Sequence, residues 1–399
     1  MKPAGSRSLA LLGAQPRLTE PCPVNRPVAP RDGGFLMRVQ RILDRRVFTN
    51  NGPCVRELEA RLAAYIGVRD CVLVANATLA LELLARVLGL RGEVIVPSYT
   101  FIATAHAFRS QGLRPVFCDV EPDSMNLSVE HCRQLLGDRT AALCGVHLWG
   151  RAAAVEALQA LADSAGVPLL FDAAHAFGSR LGARVLGSFG RAEVFSLHAT
   201  KIFHSMEGGA ICTNDSALAE ALRRCRNFGF VDYDDVGSLG TNAKLCEMSA
   251  AFGLAMLDQF DETLQRSRAV YRAYSTALQD IPGLSLIEYD ETQHNCQYAV
   301  LRVDAQKLGL SRDQLMRALH AEGIIARRYF TPGCHRSMPY RDEPGGAVCL
   351  PVTEALCERV LVIPAGAALT EPEFDAIVAT LHAAAERAIE LRVAMDICP

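Results

Sequence analysis

An aspartate and a lysine, each closing a short apolar run, form the pair of residues in this chain with the clearest joint chemistry. Val167-Pro168-Leu169-Leu170-Phe171 reads as a buried strand that ends on Asp172, and Ala192-Glu193-Val194-Phe195-Ser196-Leu197 reads as a second that delivers Lys201. Side chains leaving the carboxyl ends of such strands converge on a ligand. Pyridoxal phosphate needs this pair. A lysine holds its aldehyde as a Schiff base and later moves protons, while a carboxylate keeps the pyridine nitrogen protonated so that the ring draws electrons. Singly, an Asp after a strand is more often a helix cap, and a Lys there is usually a solvated charge.

A phosphate would need its own site, and Cys71-Val72-Leu73-Val74-Ala75 supplies one by turning through Asn76-Ala77-Thr78 into the apolar-periodic stretch from Leu79 to Leu88. A strand that passes through small polar residues into a helix leaves backbone N–H groups and the positive helix end facing the turn. Thr78 adds a hydroxyl. The same residues would also serve as an ordinary helix cap.

The ordered motifs Pro97-Ser98-Tyr99-Thr100-Phe101-Ile102-Ala103-Thr104, Pro115-Val116-Phe117-Cys118-Asp119-Val120, Asp172-Ala173-Ala174-His175, Ser188-Phe189-Gly190, His198-Ala199-Thr200-Lys201 and Glu207-Gly208-Gly209 resemble the DegT/DnrJ/EryC1/StrS sugar aminotransferases. The resemblance spans about residues 48–385. It implies a fold-type I pyridoxal-phosphate aminotransferase: an α/β domain with a mostly parallel sheet covered by helices, and a smaller C-terminal α+β domain. It further implies that Lys201 forms the Schiff base and Asp172 pairs with the pyridine nitrogen. Ala77, Thr78 and Ser196 would hold the phosphate, Phe101 would cover one ring face, and His175 would lie near the ring oxygen. Asn227, in Arg226-Asn227-Phe228-Gly229-Phe230, matches an Asn that in relatives reaches the phosphate of the neighbouring subunit. A homodimer with shared active sites is therefore implied.

The implied substrates are an amino-acid donor, glutamate first, and a nucleotide-linked keto sugar. Asn227-Phe228-Gly229-Phe230 with Gly240-Thr241-Asn242-Ala243-Lys244 is similar to a subgroup acting at carbon 4 of dTDP-4-keto-6-deoxyhexoses, in the amino-deoxysugar pathways that supply antibiotics. Many relatives carry Asn-Tyr-Arg where this chain has Asn-Ala-Lys. Arg is a rigid bidentate fork and Lys a point charge, so contacts at Lys244 do not transfer. A 3-keto sugar or a keto-cyclitol is the alternative substrate. Retention of Lys201 and Asp172 argues against a non-catalytic cofactor-binding partner protein, and the lysine argues against a dehydratase. Thr49 and Asn50, in a polar turn before the first family helix, are candidate substrate contacts, as are Lys244, Tyr329 and His335. His147 and Trp149 follow a strand and read mainly as packing.

With 399 residues, half of them hydrophobic, the chain can bury a large core over two or three domains. A formal charge of −3 gives no electrostatic case for nucleic acid or an anionic membrane. The 14 cysteines show neither CxxC pairs nor Cys/His ligand spacing, so no metal is expected. They read as reduced core residues of a cytoplasmic protein. The run Leu9-Ala10-Leu11-Leu12 is too short for a signal core or a membrane span.

Residues 1–34, rich in Pro, Arg and Gly, read as a poorly ordered extension, 35–265 as the large cofactor-binding domain and 266–399 as the small one. Strand-like runs at Val72, Val94, Val116, Leu143, Leu169 and Val194 alternate with helical stretches, which predicts a mostly parallel sheet with both faces covered. Residues 55–65 read as a helix and 249–278 as one long amphipathic stretch. Beyond them, 297–303 reads as a strand, 312–322 as a helix and 324–329 as a strand.

Overall fold

The computed structural model describes residues 8–31, 33–342 and 348–397. At its centre lies a seven-stranded sheet: β1 (Asp70–Val74), β2 (Glu93–Pro97), β3 (Arg114–Cys118), β4 (Thr140–Val146), β5 (Leu169–Asp172), β6 (Ala192–Ser196) and β7 (Gly209–Thr213). Their spatial order is β1-β7-β6-β5-β4-β2-β3. Each of the expected strand runs falls within one of β1 to β6. All pairings are parallel except those of β7, which runs against both β1 and β6.

Successive residues of the central strands enter opposite apolar layers. Leu170 and Val194 join Leu81, Leu84 and Phe108 on one face, while Phe171 and Phe195 join Leu58, Leu62 and Phe260 on the other. Burial of each such side chain stabilises the fold by roughly 1.5–3 kcal/mol, and a parallel sheet needs both faces covered.

Reversal of β7 positions the site. Its first residue, Gly209, pairs with Val74 at the end of β1 and with Ser196 at the end of β6. A Cβ on Gly209 would lie 2.5 Å from the Asn76 carbonyl carbon, so only glycine lets the turn after β1 come this close. Asn76 then caps the helix Ala77–Val87, its Oδ1 accepting the Leu79 N–H at 2.9 Å.

The C-terminal part carries a three-stranded antiparallel sheet, Leu284–Leu286, Ala299–Val303 and Val360–Ile363. Leu301 and Leu361 pack there with Leu315 and Ile377 of the helices Arg312–Ala321 and Glu371–Glu386. The single stretch expected over 249–278 is two helices, Glu247–Asp258 and Phe260–Leu278, broken at Gln259, whose side-chain amide donates to the Ala29 carbonyl at 3.2 Å. The strand expected over 324–329 contracts to Ile324–Ile325 and one bridge between Arg327 and Val362. Between them the Ala326 N–H turns back onto the Ile324 carbonyl.

Where composition predicts a loose extension, residues 8–31 form a packed strap. Leu9 is buried with Leu315 and Leu391. The buried Glu322 carboxylate accepts the Ala10 and Arg17 N–H groups at 2.7 and 2.8 Å. Cys22–Pro23 pairs in parallel with Ile324–Ile325, Arg26 meets Glu373 at 2.5 Å, and the Val28 carbonyl accepts His204 Nε2 at 2.8 Å. Isolated anchors hold this segment rather than a periodic apolar face, so its Pro-rich composition conceals them. Residues 1–7 of the expected extension lie outside the described residues. Among the described residues no helix is long and apolar enough to cross a membrane.

Candidate active site

Strands β5 and β6 are parallel neighbours, with Asp172 opposite Val194, so their carboxyl ends bring Asp172 and Lys201 into one cavity of about 640 Å³. Asp172 is buried. Its Oδ2 accepts the Thr104 hydroxyl at 2.8 Å and its Oδ1 the Ala174 N–H at 3.0 Å, which fixes the carboxylate plane. Burial pushes this carboxyl above the usual range, and Thr104, Ala174 and Lys201 oppose the shift. Burial also lowers the Lys201 amine to about 8, against the pull of Asp172. The Lys201 Nζ lies 3.5 Å from the Tyr298 hydroxyl.

Asn76, Ala77, Thr78 and Ser196 line another part of the same cavity. Here the N-terminus of the helix Ala77–Val87, the Thr78 and Ser196 hydroxyls and the backbone of Gly209 meet, leaving a cradle suited to an anion. His175 lines the wall, stacked on Trp149 with ring centroids 5.5 Å apart, and its Nδ1 accepts the backbone N–H of Trp149 at 3.4 Å. Burial holds its imidazole neutral by pushing its pKa well below the ordinary value. Phe101 and Tyr329 also face the cavity. An amine, a buried carboxylate and a helix N-terminus flanked by hydroxyls are the donor set that pyridoxal phosphate requires, in a volume ordinary for a small-molecule site.

Other residues singled out from sequence go elsewhere. Asn50, Lys244 and Asn227 meet around a separate cavity of about 140 Å³. Arg226 anchors this region: its Nη1 donates to Glu59 and to the Leu73 carbonyl, both at 2.5 Å, and its Nη2 to Asn51 at 3.1 Å. Thr49 sits in an exposed turn and lines neither cavity. His335 corrects its expected role as a substrate contact: it is buried, with Nδ1 2.6 Å from the Ser98 hydroxyl and Nε2 3.4 Å from Glu354, and it packs two segments together. His147 is likewise internal, 3.0 Å from Glu193 and stacked on Phe171. The residues that sequence reading missed are Thr104, Tyr298, Arg327, Phe330 and the strap residues Pro23, Val24 and Asn25, all but Thr104 in the cavity wall.

Residues 32–382 match the DegT/DnrJ/EryC1/StrS aminotransferase family. The chain belongs to this family. It is 34% identical over 367 residues to dTDP-4-amino-4,6-dideoxy-D-glucose transaminase of Shigella dysenteriae, covering 92% of this chain and 99% of that relative. Against the erythromycin biosynthesis sensory transduction protein EryC1 of Saccharopolyspora erythraea it is 36% identical over 342 residues, covering 84% and 91%. The crystal structure of DesI in the presence of its TDP-sugar product aligns with a TM-score of 0.92 at 43% identity, over 98% of this chain and 99% of that one. As a DegT/DnrJ/EryC1/StrS protein the chain is a sugar aminotransferase with the fold-type I architecture, from a family that depends on pyridoxal phosphate.

Proposed function

We propose that the chain moves the amino group of an amino acid, glutamate first among donors, to carbon 4 of a dTDP-4-keto-6-deoxyhexose. The observation that carries this reading is the convergence of Lys201, Asp172 and the Ala77–Val87 helix N-terminus on one cavity, in a chain 34% identical to a transaminase named for a 4-amino-4,6-dideoxy sugar nucleotide. Bound pyridoxal phosphate supplies an aldehyde for the lysine and a ring that draws electrons from the carbon losing a proton.

The remaining work falls to side chains. The Ala77 and Thr78 N–H groups with the Thr78 and Ser196 hydroxyls bind the phosphate, and Asp172, oriented by Thr104 and Ala174, keeps the proton on the pyridine nitrogen. Lys201, with its amine near 8, exists in both protonation states around neutral pH and so accepts and returns a proton at Nζ without a large penalty. Phe101, Tyr329 and Phe330 limit water around these groups.

The register of the sugar against the amine decides which carbon is aminated, since a shift of one ring atom changes the product. Incubation with dTDP-4-keto-6-deoxyglucose and glutamate should yield a product whose NMR spectrum places nitrogen on carbon 4. An amine on carbon 3 overturns that assignment and leaves the aminotransferase standing.

The homodimer with shared sites belongs to the same proposal. Two features support it: Asn227 and Lys244 line their own cavity rather than that of Lys201, and the adjoining hairpin exposes Phe230, Val231, Tyr233 and Leu239, the last two 90% and 86% exposed. Such a patch suits a second copy of the chain. Mixing inactive Lys201→Ala chains with inactive Asn227→Ala chains should restore about a quarter of wild-type activity, because half of randomly formed dimers hold one site with both residues intact. No rescue in demonstrated mixed dimers, or full activity in a monomer by light scattering, overturns it.

A further inference from the structure

We propose that Gln297 is a positioning residue for Lys201: its buried side-chain amide grips the peptide group on each side of Lys201 and so sets where the amine reaches. The inference rests on Lys201 as the cofactor lysine.

Lys201 lies in an irregular segment between β6 and β7, where no helix or strand pairing fixes the chain. A lysine stem is flexible, so the place of its amine depends on the direction in which the backbone launches it. That direction is set by φ and ψ of Lys201, and hence by the planes of the two peptide groups that flank its Cα. Gln297 holds both planes. Its Nε2 donates to the Thr200 carbonyl at 2.8 Å, and its Oε1 accepts the Ile202 N–H at 3.1 Å. The carbonyl belongs to the peptide entering Lys201 and the N–H to the peptide leaving it. A planar amide with its donor at one corner and its acceptor at the other meets these two groups in a single orientation. The Lys201 N–H is taken separately, by the His198 carbonyl at 2.9 Å.

Gln297 is itself held from the side of Asp172. Its N–H donates to Asn295 Oδ1 at 3.1 Å, and Asn295 Nδ2 donates to the carbonyls of His175 and Phe177 at 2.8 and 3.1 Å. The Asn295 N–H is taken by Ser179 Oγ at 3.1 Å. Gly150 admits this arrangement, since a Cβ there would lie 2.7 Å from Asn295 Oδ1. Asn295 and Gln297 are both buried, so water does not replace these bonds when they are lost. Residues 295–297 thereby tie the loop after Asp172 to the loop that carries Lys201, and the next residue, Tyr298, sets its hydroxyl 3.5 Å from Nζ. Gln297 does not line the Lys201 cavity. Its influence on a bound cofactor therefore passes through the lysine's main chain and not through contact.

The test measures uptake of pyridoxal phosphate by the cofactor-free full chain, using equilibrium dialysis, in two backgrounds. Affinity has a non-covalent part, from the phosphate cradle and Asp172, and a covalent part, in which the Lys201 nitrogen bonds to the aldehyde carbon and the aldehyde oxygen leaves as water. Only the covalent part needs the amine in place. Gln297→Met keeps the length and bulk of the side chain and removes its amide. With Lys201 present it should weaken uptake by about tenfold or more, since a misplacement of about 1 Å costs reacting groups up to about a hundredfold. The borohydride-fixed label on the Lys201 peptide should fall in parallel. In a Lys201→Ala background the same substitution should change affinity by less than about twofold, as expected of sites that do not touch.

Affinity unmoved by Gln297→Met with Lys201 present overturns the proposal. So does an equal loss in both backgrounds, the mark of a residue that serves only the fold. Should Gln297→Met fail to give a cooperative melt, Gln297→Glu carries the same expectations at neutral pH, where an ionised carboxylate accepts from Ile202 but has no proton to give Thr200. Failure of the underlying reading looks different: wild type and Lys201→Ala would then bind cofactor equally and wild type would take no label at Lys201, which overturns both.

Discussion

Lys201→Ala is expected to bind pyridoxal phosphate without a covalent bond and to lose turnover by about three orders of magnitude or more, since no binding energy replaces a group that is both nucleophile and proton carrier. The structure gives the reason for so large an effect. The Lys201 side chain is half-buried, its pKa is lowered to about 8 by desolvation, and it lies within reach of Tyr298, so it is reactive at a pH where an exposed lysine is almost wholly charged. Of the four lysines, Lys244 lines the separate cavity and Lys307 sits in the surface helix Ala305–Leu308. Borohydride reduction of the loaded wild-type protein should therefore fix the label on the Lys201 peptide alone. A label on Lys244, or substantial turnover by Lys201→Ala with either half-reaction assayed alone, sinks the role.

How much of this site the sequence discloses depends on how local the signal is. Asp172 and Lys201 are legible because each ends an apolar run, and a parallel strand of that kind has a predictable exit point. Ala77 and Thr78 are legible from the turn that carries a strand into a helix, and Ser196 only from the family resemblance. Thr104 and Tyr298 are not: they lie 68 and 97 residues from the partners they bond, and nothing near them in the chain marks the meeting.

The strap escapes a reading of composition for a related reason. Two-residue pairing at Cys22–Pro23 has no periodicity, and a single buried carboxylate, Glu322, supplies anchors that composition does not report. His335 errs in the opposite direction. A histidine in a Pro-Gly-rich segment reads as an available ligand, yet its Nδ1 is committed to Ser98, a contact visible only once the strand after Glu93 is brought beside residues 333–336. The reversal of β7, which brings Gly209 against the Asn76-Ala77 turn, follows from strand order and not from any pattern within the Glu207-Gly208-Gly209 motif.

Asp172→Asn separates the electrostatic role of the site from its shape. Asparagine keeps the planar group, and its carbonyl can still accept from the Ala174 N–H or the Thr104 hydroxyl, so the cavity should persist. What disappears is the negative charge that, in the proposed role, keeps the pyridine nitrogen protonated. Losing an opposite charge at contact distance lowers the pKa of a cation by roughly 1–3 units, so the ring ceases to draw electrons and turnover should fall about a hundredfold or more.

Stability should move differently. Asp172 has a folded-state pKa raised by burial, so the fold binds this proton more tightly than the unfolded chain does. As pH rises from the ordinary carboxylate range through the raised folded-state value, the stability that this proton contributes to the cofactor-free fold is lost. Removing the charge should leave the melting temperature of the cofactor-free protein unchanged or raised. The combined expectation is an enzyme that folds as well as wild type, still forms the Lys201 bond to the cofactor and scarcely turns over. Near-wild-type turnover defeats the assignment, and a large fall in melting temperature of the cofactor-free variant would show that Asp172 serves the fold rather than the chemistry.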